Sequence, residues 1–180
     1  MAIIHRATIS PTKLELLEEW LGSDLAGDGE LRQVGSYRFD DPEGEVGIEA
    51  LLVTRGGAVR QTVLTYRAAP LDGAEGHLVT TMEHSVLGRR WIYDGAGDPV
   101  ALAAYRRALA GQQEQAPLEI WDGDTLVDTR EPTVELVLTN PALSPDGLAV
   151  HLATDIGSAH PAGPVLVARW DGGDGVVAWA

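Results

Sequence analysis

The chain has 180 residues with 13 Lys+Arg against 27 Asp+Glu, a formal net charge of −14, and no cysteine. The lack of cysteine excludes disulfides, thiolate metal sites and nucleophilic cysteine chemistry. So acidic a surface repels phosphate backbones and anionic lipids, so neither nucleic acid nor a membrane is an expected partner. The start of the chain lacks the features of a signal peptide, and no apolar run approaches the ~20 residues that span a bilayer. These observations predict a cytoplasmic protein of one domain or two small ones.

A first helix is predicted over residues 12–21, because Ser10-Pro11 is a typical helix start and Gly22 a typical stop. Helical spacing puts Leu14, Leu17 and Leu21 on one face, with Trp20 beside them, and predicts that this face is buried. The Gly- and Asp-rich stretch 23–30 that follows is expected to be an exposed loop.

The next part of the chain has the composition of strands separated by turns. Runs rich in β-branched and aromatic residues alternate with turn residues such as Asp40 to Gly44 and Arg55 to Gly57. The pattern predicts five strands in an antiparallel meander, over residues 34–39, 46–53, 59–66, 77–82 and 89–93. In the third strand neither face is clearly polar, which indicates that both faces are partly covered.

A second helix is predicted from Asp98-Pro99 to Gly111, with Leu102, Tyr105 and Leu109 on one face. A second β-rich part follows, with strands expected over residues 118–121, 134–138, 148–152, 165–170 and 176–179 and a turn at residues 122–124. The fold class is therefore α+β: a curved antiparallel sheet with two main helices and a C-terminal β-rich extension. Residues 1–111 and 112–180 are the expected units, the second either separate or packed with the first as one domain.

The residue patterns of common catalytic and cofactor sites are absent from the sequence. Neither GxGxxG nor GxxxxGK[ST] occurs, and both glycine clusters, at residues 55–57 and 172–175, fit hairpin turns better than phosphate loops. The five histidines show no metal-binding spacing, and Ser85 lacks the Gly-x-Ser-x-Gly elbow of a hydrolase nucleophile. No catalytic residue, metal or other cofactor is therefore predicted.

The densest polar group lies at residues 89–94. On a strand, Arg89, Trp91 and Tyr93 share one face, and this mixture of aromatic planes and a planar cation suits stacking on a sugar or contact with a protein. The same side chains equally fit a structural role, in which they cover the sheet edge and pair with local carboxylates, and the ring of His84 equally fits support of its own turn. The candidate ligand- or partner-binding residues are His84, Arg89, Arg90, Trp91, Tyr93 and Asp94. Together with Arg106 and Arg107, the arginines are expected to form a local positive patch.

Five elements of residues 4–111 form a further pattern: Glu19-Trp20-Leu21, Val34-Gly-Ser-Tyr-Arg-Phe39, Ile48-Glu-Ala-Leu-Leu-Val53, Leu64-Thr-Tyr-Arg67, and Trp91-Ile-Tyr-Asp94 leading through Asp98-Pro99 into a helix. In these elements residues 4–111 resemble the N-terminal cap domain of maltokinases, actinobacterial enzymes that phosphorylate maltose on the route from trehalose to α-glucan. The resemblance implies a curved antiparallel sheet with helices, similar to a cystatin-like arrangement, which in the family sits on the N-lobe of a kinase.

The kinase itself is missing from the sequence after Gln115: there is no Gly-rich phosphate loop, Val-Ala-x-Lys strand, His-x-Asp segment or metal-binding Asp-Phe-Gly-like motif. Maltokinase activity is therefore not expected. The leading expectation is a non-catalytic cap-like module that acts through a protein partner in α-glucan, trehalose or maltose metabolism. The alternative is a binding module for a sugar or sugar phosphate on the Arg89, Trp91 and Tyr93 face. A third hypothesis is a hydrolase that uses Glu83, His84 or Asp94, and the oligomeric state is left open.

Overall fold

The computed structural model describes residues 3–5, 8–22, 29–122, 125–157 and 162–180. The helices in this part of the chain are α1 (Lys13–Leu21) and α2 (Pro99–Leu109), and short 3-10 turns lie at Glu75–His77 and Gly95–Gly97. The strands are β1 (Ile3–His5), β2 (Ile9–Ser10), β3 (Arg32–Phe39), β4 (Gly47–Thr54), β5 (Val59–Arg67), β6 (Leu78–His84), β7 (Gly88–Asp94), β8 (Leu118–Asp122), β9 (Thr125–Arg130), β10 (Val134–Thr139), β11 (His151–Leu152), β12 (Asp155–Ile156), β13 (Val165–Trp170) and β14 (Gly173–Trp179). The predicted α+β class, with its antiparallel sheet and two main helices, is confirmed. Most of the predicted loop at 23–30 and part of the turn at 122–124 lie outside the described residues.

The central sheet has the strand order β2-β6-β7-β5-β4-β3, and β12 pairs with β5 as well. All these pairings are antiparallel. The order departs from the predicted meander at one place, because β7 rather than β6 lies beside β5. A short turn joins β6 to β7, whereas residues 68–77 separate β5 from β6, so the β6–β7 hairpin forms as a unit and joins the sheet through its second strand.

One face of the central sheet is covered by α1. Its apolar cluster is formed by Leu16, Leu17, Leu21, Leu31, Leu51, Val53, Leu64, Met82 and Ile92. The predicted face of α1 is wrong in one position, since Leu16 is 2% exposed and Leu14 is 38% exposed. Trp20, at 36%, also stays partly in solvent.

The start of α1 also differs from the prediction. Thr12, not Ser10, is the N-cap, and it forms a reciprocal capping box with Glu15. Ser10 instead lies in β2 and pairs with Glu83 of β6. The predicted stop at Gly22 is confirmed, because Gly22 is the C-cap and adopts a positive φ of 48°.

The other face of the central sheet is covered by α2 and by a second sheet of order β10-β13-β14-β11. Their shared core includes Tyr37, Phe39, Ile48, Ala50, Leu52 and Val63 of the central sheet, Ala101, Ala104, Tyr105, Ala108 and Leu109 of α2, and Val134, Leu166, Ala168, Val177 and Ala178 of the second sheet. A boundary between residues 111 and 112 stays a prediction, but one continuous apolar core crosses it.

A third sheet of order β1-β8-β9 contains the parallel pair β1 and β8 and the antiparallel hairpin β8–β9. Every residue of β9 is exposed. This strand was not predicted from the sequence, since its residues Thr125–Arg130 lack a buried face that would produce a clear apolar alternation.

Candidate functional site

The predicted site residues all lie on the β6–β7 hairpin. Residues 85–87 form the turn, and Glu83 lies opposite Arg89 in the register. Two hydrogen bonds tie this turn to the segment before β2: Thr8 N–H donates to Ser85 Oγ, and Ser85 N–H donates to the Thr8 carbonyl, both at 3.0 Å. The hairpin is therefore held at its tip as well as along its strands.

His84 organises the hairpin turn. Its Nδ1 accepts hydrogen bonds from the backbone N–H groups of Val86, at 3.2 Å, and Leu87, at 3.1 Å. Because Nδ1 accepts both bonds, it carries no proton in this arrangement. The ring thus supports its own turn, which is one of the two roles that the sequence left open.

The turn presents two apolar side chains that the sequence analysis did not identify. Val86 is 55% exposed and Leu87 is 42% exposed. Large apolar side chains side by side at a turn are typical of contact surfaces rather than of turns, where small and polar residues prevail. The sequence did contain a signal for this surface, because Val86 and Leu87 are adjacent apolar residues between two predicted strands, where a turn is expected. We call residues 84–89 the hairpin tip.

Arg89 remains accessible at the side of the hairpin tip. Its Nε lies 2.9 Å from Glu83 Oε1, and the two side chains are 60% and 63% exposed. Such an exposed pair is screened by water and contributes about 0–1 kcal/mol to stability. Arg90 and Trp91, the next two residues of β7, are half-buried.

Tyr93 does not offer an aromatic plane to a ligand. Its side chain is 2% exposed, and its hydroxyl accepts a hydrogen bond from Leu71 N–H at 2.8 Å. Asp94, which follows, starts the 3-10 turn by accepting a hydrogen bond from Ala96 N–H at Oδ1, at 3.1 Å. The candidate residues therefore form two groups: His84 and Arg89 lie in the hairpin tip, and Arg90, Trp91, Tyr93 and Asp94 lie further along β7. Their role in binding stays a prediction.

Arg106 and Arg107, at the end of α2, line an open cavity of about 590 Å³ together with residues 145–148. Arg106 Nε donates to the Leu148 carbonyl at 3.0 Å, and Arg107 Nε donates to Gln113 Oε1 at 2.7 Å. Both guanidinium groups thus hold neighbouring segments against the helix end, where positive charge is favoured by the helix dipole.

Two further polar clusters are buried and serve the fold. Asp98, fully buried, accepts bonds of 2.7 Å from Arg67 at both carboxylate oxygens and from Thr65 Oγ1 at Oδ2, and it caps α2 through Val100 N–H at 2.9 Å. Burial by itself raises the pKa of Asp98, but the hydrogen bonds from Arg67, Thr65 and Val100 outweigh it and hold the pKa below its ordinary value.

The second cluster joins the central sheet, α2 and the second sheet. The Tyr37 hydroxyl donates to Gln61 Oε1 at 2.6 Å and lies 2.7 Å from the Tyr105 hydroxyl, while Gln61 Nε2 donates to the carbonyls of Ala153 and Val177. Burial raises the pKa of both tyrosines, so they stay protonated donors at neutral pH.

The described part of the chain contains no group of three or more His, Asp or Glu side chains placed to hold a metal ion. Neither helix found there is long and apolar enough to cross a bilayer.

The model of the maltokinase N-terminal cap domain family matches residues 18–98. The match runs from the last turns of α1 through the strands β3 to β7 and ends at the N-cap of α2. It confirms the resemblance seen in the sequence and covers less than half of the chain. No curated protein and no solved structure matched.

Proposed function

We propose that this chain, whose residues 18–98 match the maltokinase N-terminal cap domain family, is a non-catalytic module that acts by protein contact in maltose, trehalose or α-glucan metabolism. The observation that carries the proposal is a cap-type domain without kinase motifs anywhere in the printed 180 residues. The second sheet, of order β10-β13-β14-β11, packs on the central sheet and shares its core. This packing supports a role in which the module presents surfaces for contact.

The hairpin tip is the surface that best fits a protein partner. Both faces of the central sheet are covered, so a partner meets this domain at strand edges and turns. At the tip, the exposed Val86 and Leu87 are bordered by the accessible pair of Glu83 and Arg89. An apolar centre with a charged border is the usual composition of a protein interface.

The test is cross-linking and affinity capture from an extract of cells that produce the protein. We expect the wild-type chain to capture an enzyme of maltose, trehalose or α-glucan metabolism, and the double variant Val86→Ser, Leu87→Ser to capture about ten-fold less of it. The matched control is Val127→Ser on β9, because Val127 is also 42% exposed but lies on another sheet.

Recovery of no such enzyme by the wild-type chain, even after cross-linking, contradicts the proposal. If the tip variant and the control capture equal amounts of the enzyme, the protein contact exists but is not made by the hairpin tip.

The sugar-stacking face of Arg89, Trp91 and Tyr93 receives less support, because Tyr93 is buried and hydrogen-bonded. The hydrolase hypothesis receives less as well. His84 Nδ1 already accepts two backbone N–H groups, and Glu83 pairs with Arg89, so the acid and the base do not converge on a common point.

A further inference from the structure

A cavity of about 290 Å³ lies at a break in the central sheet. On the side of β5 away from β4, β7 pairs with residues 64–67 and β12 pairs with Val59 and Arg60. Between these two partners, residues 61–63 have no strand beside them in the described structure. Gln61 bridges the gap, since its N–H donates to the Thr154 carbonyl at 2.8 Å and its Nε2 donates to the Ala153 carbonyl at 3.0 Å. The interruption of strand pairing is what opens the space.

The cavity walls combine an aromatic plane with polar groups of opposite charge. Trp20, at the end of α1, lines the cavity and is 36% exposed, so its indole is reachable from solvent. Asp94 contributes a carboxylate whose Oδ1 is bonded to Ala96 N–H and whose Oδ2 accepts no hydrogen bond from the described residues. Arg60 contributes a guanidinium that Asp155 orients through Nε at 3.1 Å, which leaves its terminal nitrogens to other acceptors.

These groups match the chemistry of a saccharide. The C–H faces of a pyranose pack on an aromatic ring, and its hydroxyls both donate to a carboxylate and accept from a guanidinium. The hydroxyl of Thr62 and the backbone of residues 152–154 add further polar lining.

The charge and the size of the cavity narrow the ligand class. The positive charge of Arg60 is already paired with Asp155, which lies outside the lining, and Asp94 lines the cavity as a carboxylate, so a phosphorylated sugar would meet net repulsion here. A volume of about 290 Å³ lies just below the ~300–1,000 Å³ of drug-sized sites, which favours a small ligand of one or two sugar rings.

We propose that this cavity binds a neutral mono- or disaccharide, stacked on Trp20 and hydrogen-bonded by Asp94 and Arg60. The site goes beyond the proposed protein contact, which needs no ligand and is placed on the hairpin tip. Its walls come from the segment that matches the cap family and from residues 152–154, which lie outside the match. The cavity therefore depends on the C-terminal extension as well as on the cap.

The experiment is calorimetric titration of the full chain with maltose, trehalose, glucose and glucose 6-phosphate at millimolar concentrations, with tryptophan fluorescence as a second readout. We expect saturable binding of at least one neutral sugar and weaker binding of the phosphate. Trp20→Ala and Asp94→Asn should each weaken binding about ten-fold, which corresponds to about 1.4 kcal/mol. The asparagine keeps the acceptor that starts the 3-10 turn, so this variant is expected to fold.

Two controls make the result decisive. Arg130→Gln removes an exposed arginine of β9, which does not line the cavity, and should leave the titration unchanged, while circular dichroism checks that each variant is folded. The proposal is overturned if no neutral sugar gives a saturable signal, or if folded Trp20→Ala and Asp94→Asn proteins bind as the wild type does. Capture of the protein partner is measured separately with the tip variants, so the failure of one proposal is distinguishable from the failure of the other.

Discussion

Replacing Asp98 with asparagine removes the charge from a fully buried carboxylate while keeping the shape of its side chain. Asp98 accepts hydrogen bonds from Arg67, Thr65 and Val100 N–H at 2.7 to 2.9 Å. Only one oxygen survives in the amide, so at least one donor now faces the NH₂ group. The Arg67 guanidinium loses its counter-ion.

The expected loss follows from the burial of the two partners. Removing one member of a buried ion pair costs about 3–5 kcal/mol of unfolding free energy. Because the Arg67 side chain is 17% exposed and partly reaches water, the lower end, about 3 kcal/mol, is expected for Asp98→Asn. Asp98→Ala also removes the cap of α2 and should cost about 1 kcal/mol more.

The pH dependence gives the same prediction a second test. Since the pKa of Asp98 in the folded protein lies below its ordinary value of 3.8, the ion pair contributes its full stability above that value. The contribution is lost as pH falls through the lower folded-state pKa, because the carboxylate then protonates in the folded protein too. The stability difference between wild type and Asp98→Asn should therefore be constant near neutral pH and shrink in acid.

Urea unfolding followed by tryptophan fluorescence measures the difference at each pH. The matched control is Glu83→Gln, which breaks the exposed pair with Arg89 and should cost about 0–1 kcal/mol. If Asp98→Asn costs no more than this control, or if the difference grows in acid, the reasoning about the buried pair is refuted.

Three further substitutions probe the core shared by the cap and the extension. Leu166→Ala, at a position 3% exposed, should lower the unfolding free energy by about 2–5 kcal/mol in a single urea transition, whereas two separated transitions would contradict a common core. Gly95→Ala places a Cβ 2.4 Å from Val63 Cγ1 and should cost about 1–3 kcal/mol by thermal unfolding; an unchanged melting temperature would show that Val63 moves aside freely. Tyr37→Phe leaves Gln61 without its buried donor and should cost about 1–3 kcal/mol by the same method, with a neutral effect counting against the network.

Local signals in the sequence predicted local structure well. Asp98-Pro99 marked the start of α2 because the cap and the fixed φ of proline act within one turn. Gly56 and Gly172 both adopt positive φ in the hairpin turns that were expected there. Neither face of β5 is clearly polar in the sequence, and this correctly indicated a strand covered on both faces. In the structure α1 covers one face, and α2 with the second sheet covers the other.

The wrong predictions for α1 concern its buried face and its N-cap, for which the local sequence allows more than one solution. Leucines at 14, 16, 17 and 21 allow more than one buried face, and contact with the sheet selects Leu16 over Leu14. Thr12 with Glu15 is a capping-box pattern that competes with Ser10-Pro11, so the true cap was readable but not distinguished.

The candidate site shows the same limit. Strand alternation places Tyr93 on a face, but it does not reveal that Leu71, from the link between β5 and β6, lies against its hydroxyl. The cavity beside Trp20 joins residues near positions 20, 60, 94 and 153, which are too far apart in the chain for any local pattern to connect them.

The short strand β12 affects the local dynamics of the sheet as well as its architecture. It is held to β5 by two residue pairs, Asp155 with Arg60 and Ile156 with Val59, and Ile156 packs where Gly175 has no side chain. So brief a pairing opens locally at a small free-energy cost, well before the whole molecule unfolds. Hydrogen exchange at Gln61 N–H, which donates to the Thr154 carbonyl next to β12, should therefore be faster than at the centre of β4.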